Sequence, residues 1–73
     1  MSVERNLPFI SNRAEISKAF FDSGMTREEF AAKIGINVNT FGRLLGRDGI
    51  KLMYETARKI RNACGENSVM LND

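Results

Sequence analysis

The chain has no histidine, no tryptophan, one cysteine and one proline among its 73 residues. Each shortage removes a class of chemistry. Without an imidazole there is no His-dependent triad, no His-containing zinc site and no histidine acid–base catalysis. A lone Cys64 can close no internal disulfide and has no histidine to activate it. It falls on the apolar face of a predicted helix, which suits a small buried side chain in a reducing compartment. No apolar run approaches the ~18 residues of a membrane span, and the N-terminus lacks a signal-peptide core. Glycine-rich spacing of the phosphate-loop type is also missing. Glu28 and Glu29 are adjacent, so they lie on different faces of a helix and serve its first-turn dipole better than a catalytic pair. The expectation is a cytoplasmic protein with no enzymatic activity, no cofactor, no metal, no membrane partner and no small-molecule ligand.

What is present is an ordinary globular composition, 42% apolar and 27% charged, which argues against disorder throughout. Seventy-three residues allow one domain, 1–73, with one small core. They leave no room for a cleavable or ligand-sensing domain, so a stand-alone protein is expected. The net charge of +2 is too small to imply nucleic acid by itself. Its distribution is more useful. Residues 33–61 carry seven cations against Asp48 and Glu55, a net of +5, while residues 1–32 and 62–73 are net −1 and −2. Such a block suits a phosphate-facing side. Arg58, Lys59 and Arg61 have a second reading as cations near a helix C-terminus.

Residues 1–10 have no helical period and contain Pro8; they form an arm whose Leu7, Phe9 and Ile10 are apolar enough to pack on the domain or a partner. A helical core follows over 12–65. Helix 1 is predicted to start after Asn12, with Glu15 in the capping-box position, and to stop at Gly24. Thr26 and Glu29 spell a capping box for helix 2, roughly Arg27 to Ile34, with Met25 and Phe30 at staple spacing. Asn37 is the N-cap of helix 3, roughly Val38 to Leu45, and Ile36 and Phe41 repeat the staple. The run 46–49 has two glycines around Arg47-Asp48 and breaks the chain. Helix 4 is predicted from about Leu52 to Ala63, closed by Gly65. The tail, 66–73, ends in the apolar run Val69, Met70, Leu71, which suggests a strand or hook. The expected core is Ile16, Phe20, Phe30, Ala31, Ile34, Ile36, Phe41, Leu44, Ala57 and Ile60.

Residues 26–46, TREEFAAKIGINVNTFGRLLG, thus hold two short helices joined by a three-residue turn at Gly35, with small Ala31 where the helices cross: a helix-turn-helix, which points to duplex DNA. The segment resembles the helix-turn-helix of the lambda-repressor-like family of phage Cro and repressor proteins. Ala31, Gly35, Phe41 and Leu44 fill that family's alanine, glycine and apolar positions, and the similarity runs from about Asn12 to Gly65. The resemblance implies an all-α fold, a small four-helix domain with a central helix-turn-helix. The residues at the start of its second motif helix would then face the bases, which carries over to Asn37, Val38, Asn39, Thr40 and Arg43. The residue chemistry agrees: Asn39 and Arg43 are four apart, Asn suits adenine N6 and N7, and Arg suits guanine O6 and N7. Gly42 between them would allow close backbone approach. Val38 has two readings, a thymine methyl contact or a half-buried packing residue. Arg27, Arg47 and Lys51 are candidates for backbone phosphates; for Arg27 the alternative is a partnership with Glu28 or Glu29. Where many family members have glutamine at the start of each motif helix, this chain has Arg27 and Val38, so base preference does not carry over.

Three functions compete. The leading expectation is a Cro-like, sequence-specific transcriptional repressor, binding a double-stranded operator as a homodimer and occluding a promoter. Val69, Met70 and Leu71 are its candidate dimer interface, with the segment from Leu7 to Ile10 beside it. An excisionase-like recombination directionality factor is the second; a β-hairpin wing with a basic tip after helix 3 would favour it, whereas a helix there favours the repressor class. The third is a helical interaction module or anti-repressor that binds protein through Phe9, Ile10 and the tail.

Overall fold

A computed structural model describes residues 9–71; the arm before Phe9, with Leu7, and the last two residues lie outside the described residues. The element order is β1 (Phe9–Ser11), α1 (Arg13–Ser23), α2 (Arg27–Ile34), α3 (Val38–Gly46), β2 (Lys51–Leu52), α4 (Tyr54–Cys64), a 3-10 turn (Glu66–Ser68) and β3 (Val69–Leu71). The domain is mostly helical but not all-α. A three-stranded antiparallel sheet in the order β2-β1-β3 joins both ends of the chain to the loop after α3.

Local chemistry accounts for the helix-turn-helix. The Thr26 hydroxyl accepts from the Glu29 N–H at 3.2 Å, and the Glu29 carboxylate accepts from the Thr26 N–H at 2.9 Å, completing the capping box of α2. Gly35 ends α2 at φ +93°, a conformation that costs glycine nothing, and its N–H donates to the Ala31 carbonyl at 2.8 Å. Asn37 Oδ1 then accepts from the Asn39 N–H at 2.7 Å and starts α3.

Helix α1 keeps its expected bounds, from Arg13 to the left-handed Gly24, but not its expected cap, and α4 starts later than expected. Asn12 precedes α1 but its side chain caps nothing there; instead its amide donates to the Asn67 carbonyl at 3.0 Å. The free N–H of Arg13 is met by Asp48 Oδ1 at 2.9 Å, from the loop after α3. Helix α4 begins at Tyr54 rather than Leu52, because Lys51 and Leu52 pair with Ile10 and Phe9 in the sheet.

The core gathers one face of every helix. Phe20, Phe30 and Phe41 from α1, α2 and α3 pack with ring centroids 5.2–5.6 Å apart, a tilted and edge-on cluster of the kind aromatic quadrupoles favour. Ile16, Ala31, Ile34, Leu44, Ala57 and Ile60 are buried around it, while Phe20 and Ile36 are only partly covered. Two buried residues come from the strands, Leu52 and Val69. Val69 is 7% exposed. It belongs to the core: opposite Ser11 in the β1–β3 register it faces inward, unlike its expected interface partners Met70 and Leu71, which are exposed.

Candidate nucleic-acid interface

Helix α3 is amphipathic in the required sense. Phe41 and Leu44 are fully buried and Val38 and Leu45 partly so, which fixes the helix against α1 and α2. Asn39, Thr40 and Arg43 then face solvent, and Gly42 lies between Arg43 and the buried side. Asn37 is exposed, but its Oδ1 is committed to the Asn39 N–H, so only its amide group is free for a ligand. Val38 packs against the core, which supports its reading as a half-buried residue.

The cations are available. Among the described residues the only ion pair within 4.0 Å is Arg61–Glu66, at 3.8 Å and exposed on both sides. Arg27 therefore pairs with neither Glu28 nor Glu29, and Arg43, Arg47 and Lys51 have no carboxylate partner among the described residues. Asp48, the acid nearest to them in sequence, is turned onto the α1 amide. Lys59 sits elsewhere: its Nζ donates to the Gly35 carbonyl at 3.4 Å, across the helix-turn-helix turn, where a cation complements the C-terminal dipole of α2.

Tertiary structure also brings together residues that sequence placed in separate classes. Arg43 and Lys51 line one groove of about 260 Å³ between α3, β2 and the start of α4, with Thr40 and Thr56 beside them and Leu44 and Leu52 among its apolar wall. Lys51 and the two hydroxyls around an apolar wall suit a deoxyribose-phosphate segment beside the Arg43 guanidinium. Thr56 was not legible as a site residue, since its neighbours in the groove come from α3 and β2. Arg27 and Arg47 do not line this groove.

Compared with protein-family models, with characterised proteins and with solved structures, the chain matches none. The interface therefore stands on its own geometry. No group of three or more His, Cys, Asp or Glu side chains able to hold a metal ion occurs among the described residues, and no described helix is long and apolar enough to cross a membrane.

Across the sheet from β2, on strand β3, Met70 and Leu71 are 44% and 70% exposed. Met70 stands opposite Ile10 on the sheet face turned away from the core, and Leu71 opposite Phe9. Phe9 in turn packs on the exposed Tyr54, ring centroids 6.1 Å apart. Among the described residues strand β3 is an edge strand, paired only with β1.

Proposed function

We propose that the protein is a sequence-specific double-stranded DNA-binding regulator of the lambda-repressor-like kind, acting as a Cro-like homodimeric repressor that occludes a promoter. The observation that carries this reading is the solvent face of α3, where Asn39, Thr40 and Arg43, with no ion-pair partner among the described residues, project from a helix whose other face is locked into the core. Base edges in the major groove are read by such a set, while Arg27, Arg47 and Lys51 supply the sequence-independent attraction to phosphates. Among the described residues β2 pairs with β1 and leads into α4. No hairpin wing follows α3, and this favours the repressor reading over the excisionase-like one.

For the dimer, the free edge of β3 and the exposed Met70 and Leu71 offer a self-complementary contact, and a two-fold axis there would repeat α3 on a pseudo-palindromic site. The test is selection of bound sites from random duplexes, followed by titration of the selected and a scrambled duplex at several salt concentrations. Arg43→Ala should lose about 1–3 kcal/mol on the selected site and little on the scrambled one. Equal loss on both would make Arg43 a phosphate contact, and no binding of the unaltered protein at low salt would favour a protein-interaction module.

A further inference from the structure

Four hydrogen bonds, three at Ser11 at the end of β1 and one at Arg13 at the start of α1, fasten this segment to the loop that follows α3. The Ser11 N–H donates to the Ile50 carbonyl at 2.9 Å, and the Gly49 N–H donates to the Ser11 carbonyl at 3.1 Å. The Ile50 N–H donates to Ser11 Oγ at 2.9 Å, and the Arg13 N–H donates to Asp48 Oδ1 at 2.9 Å. Ser11 is fully buried, so its N–H, its carbonyl and its hydroxyl are all committed to this loop in the absence of water. The clasped segment is Asp48–Ile50, and the residues on either side of it are Arg47 and Lys51, both exposed.

A loop with glycine at 46 and 49 would otherwise sample many conformations, and each bond to β1 removes some of that freedom before any ligand arrives. Resting on the DNA-binding reading above, we propose that Ser11 and Asp48 are positioning residues for DNA binding: the clasp fixes where Arg47 and Lys51 present their charges relative to α3. Asp48 makes the idea separable from simple electrostatics. An acid between two phosphate-binding cations opposes the DNA by its charge, so its removal alone tightens binding. Removal of the clasp weakens it. The two effects have opposite signs.

The experiment compares the full chain with Asp48→Ala, Asp48→Asn and Ser11→Ala by fluorescence anisotropy on the selected duplex across a salt series, at a temperature where circular dichroism shows each protein folded. Asp48→Asn keeps the Oδ1 acceptor and drops the charge, so it should bind as tightly as the unaltered protein or more tightly. Asp48→Ala should bind about tenfold more weakly, with a salt dependence shallower by about one phosphate contact. Ser11→Ala strands the Ile50 N–H and should weaken binding in the same way; it is the second variant should Asp48→Ala fail to fold. Lys51→Ala should cost less affinity in the Asp48→Ala or Ser11→Ala background than in the unaltered protein, a coupling that general loss of stability does not produce. An Asp48→Ala or Ser11→Ala protein that is folded and binds undiminished, or strict additivity with Lys51→Ala, overturns the proposal alone. Absence of duplex binding by the unaltered protein overturns the DNA reading and the proposal with it. In that case, faster amide exchange at Gly49 and Ile50 in Asp48→Ala would still separate a clasp without DNA from no clasp at all.

Discussion

Gly42 has no role inside the protein that another residue could not fill. It lies mid-helix in α3 without a positive φ, and a Cβ added there would find no heavy atom within 4 Å. Glycine in a helix interior is less favourable than alanine by about 0.8–1.0 kcal/mol. Gly42→Ala should therefore raise thermal stability and, on the DNA-binding proposal, weaken specific binding, because the methyl would hold the α3 backbone further from an approaching groove. Unchanged affinity would show that the α3 backbone does not come close to DNA there. Cys64 makes a different prediction. Burial raises its thiol pKa from 9.0 to about 11, against a smaller lowering from Lys33. Between those values the unfolded chain has lost the proton and the folded one keeps it. The thiol's contribution to stability is thus fully present below about pH 9 and is lost as pH rises toward 11. Urea midpoints at pH 8.5 and 10.5 should fall further for the unaltered protein than for Cys64→Ala, and iodoacetamide at pH 8 should label the folded chain more slowly than the unfolded one.

At the scale of elements, the bounds of α1, α2 and α3 were legible, while the start of α4 and the capping of α1 were not. The bounds of α2 match the expected ones, and α3 runs one residue further, because Thr26, Glu29, Gly35 and Asn37 act within three or four residues of themselves. Thr26→Ala removes the acceptor for the Glu29 N–H and should lower stability by about 0.5–2 kcal/mol in denaturant unfolding, a loss that Thr26→Ser should largely spare. Were Thr26→Ala neutral, the box would be an ornament of an already stable α2. The start of α1 looked similar in sequence, yet Asn12 turned to Asn67 and Asp48 took over the amide of Arg13. Nothing near Asn12 in sequence announces a carboxylate 36 positions away.

At the scale of the molecule, the sheet ties β1, the loop after α3 and the tail strand β3 into one body. Strand β1 lies between β2 and β3, so the N-terminal segment supports both the loop beside α3 and the C-terminal tail. Deleting the tail would remove Val69 and the buried Ser68 along with the exposed side chains, and so would test folding rather than assembly. Met70→Glu and Leu71→Glu touch only exposed positions. On the homodimer proposal, each should leave the helical circular dichroism intact, reduce the apparent mass on sedimentation to that of a monomer, and weaken binding to a two-half-site operator more than to a single half-site. A variant that keeps the association state of the unaltered protein would move the dimer contact away from β3.

The residues by themselves determined the helix-turn-helix, the inward face of α3 with Phe41 and Leu44, and the outward one with Asn39 and Arg43. These follow from i to i+4 geometry and from capping groups that find their partners a few positions away. Only the tertiary structure decided the sheet, the burial of Leu52 and Val69, the groove that joins Arg43 to Lys51, and the attachment of Asp48 to α1. Strands of two or three residues are too short to show a period of two, and their hydrogen bonds run to partners about 40–60 positions away. A carboxylate beside two cations can equally face solvent or a distant helix end, and folding the chain is what selected the helix end.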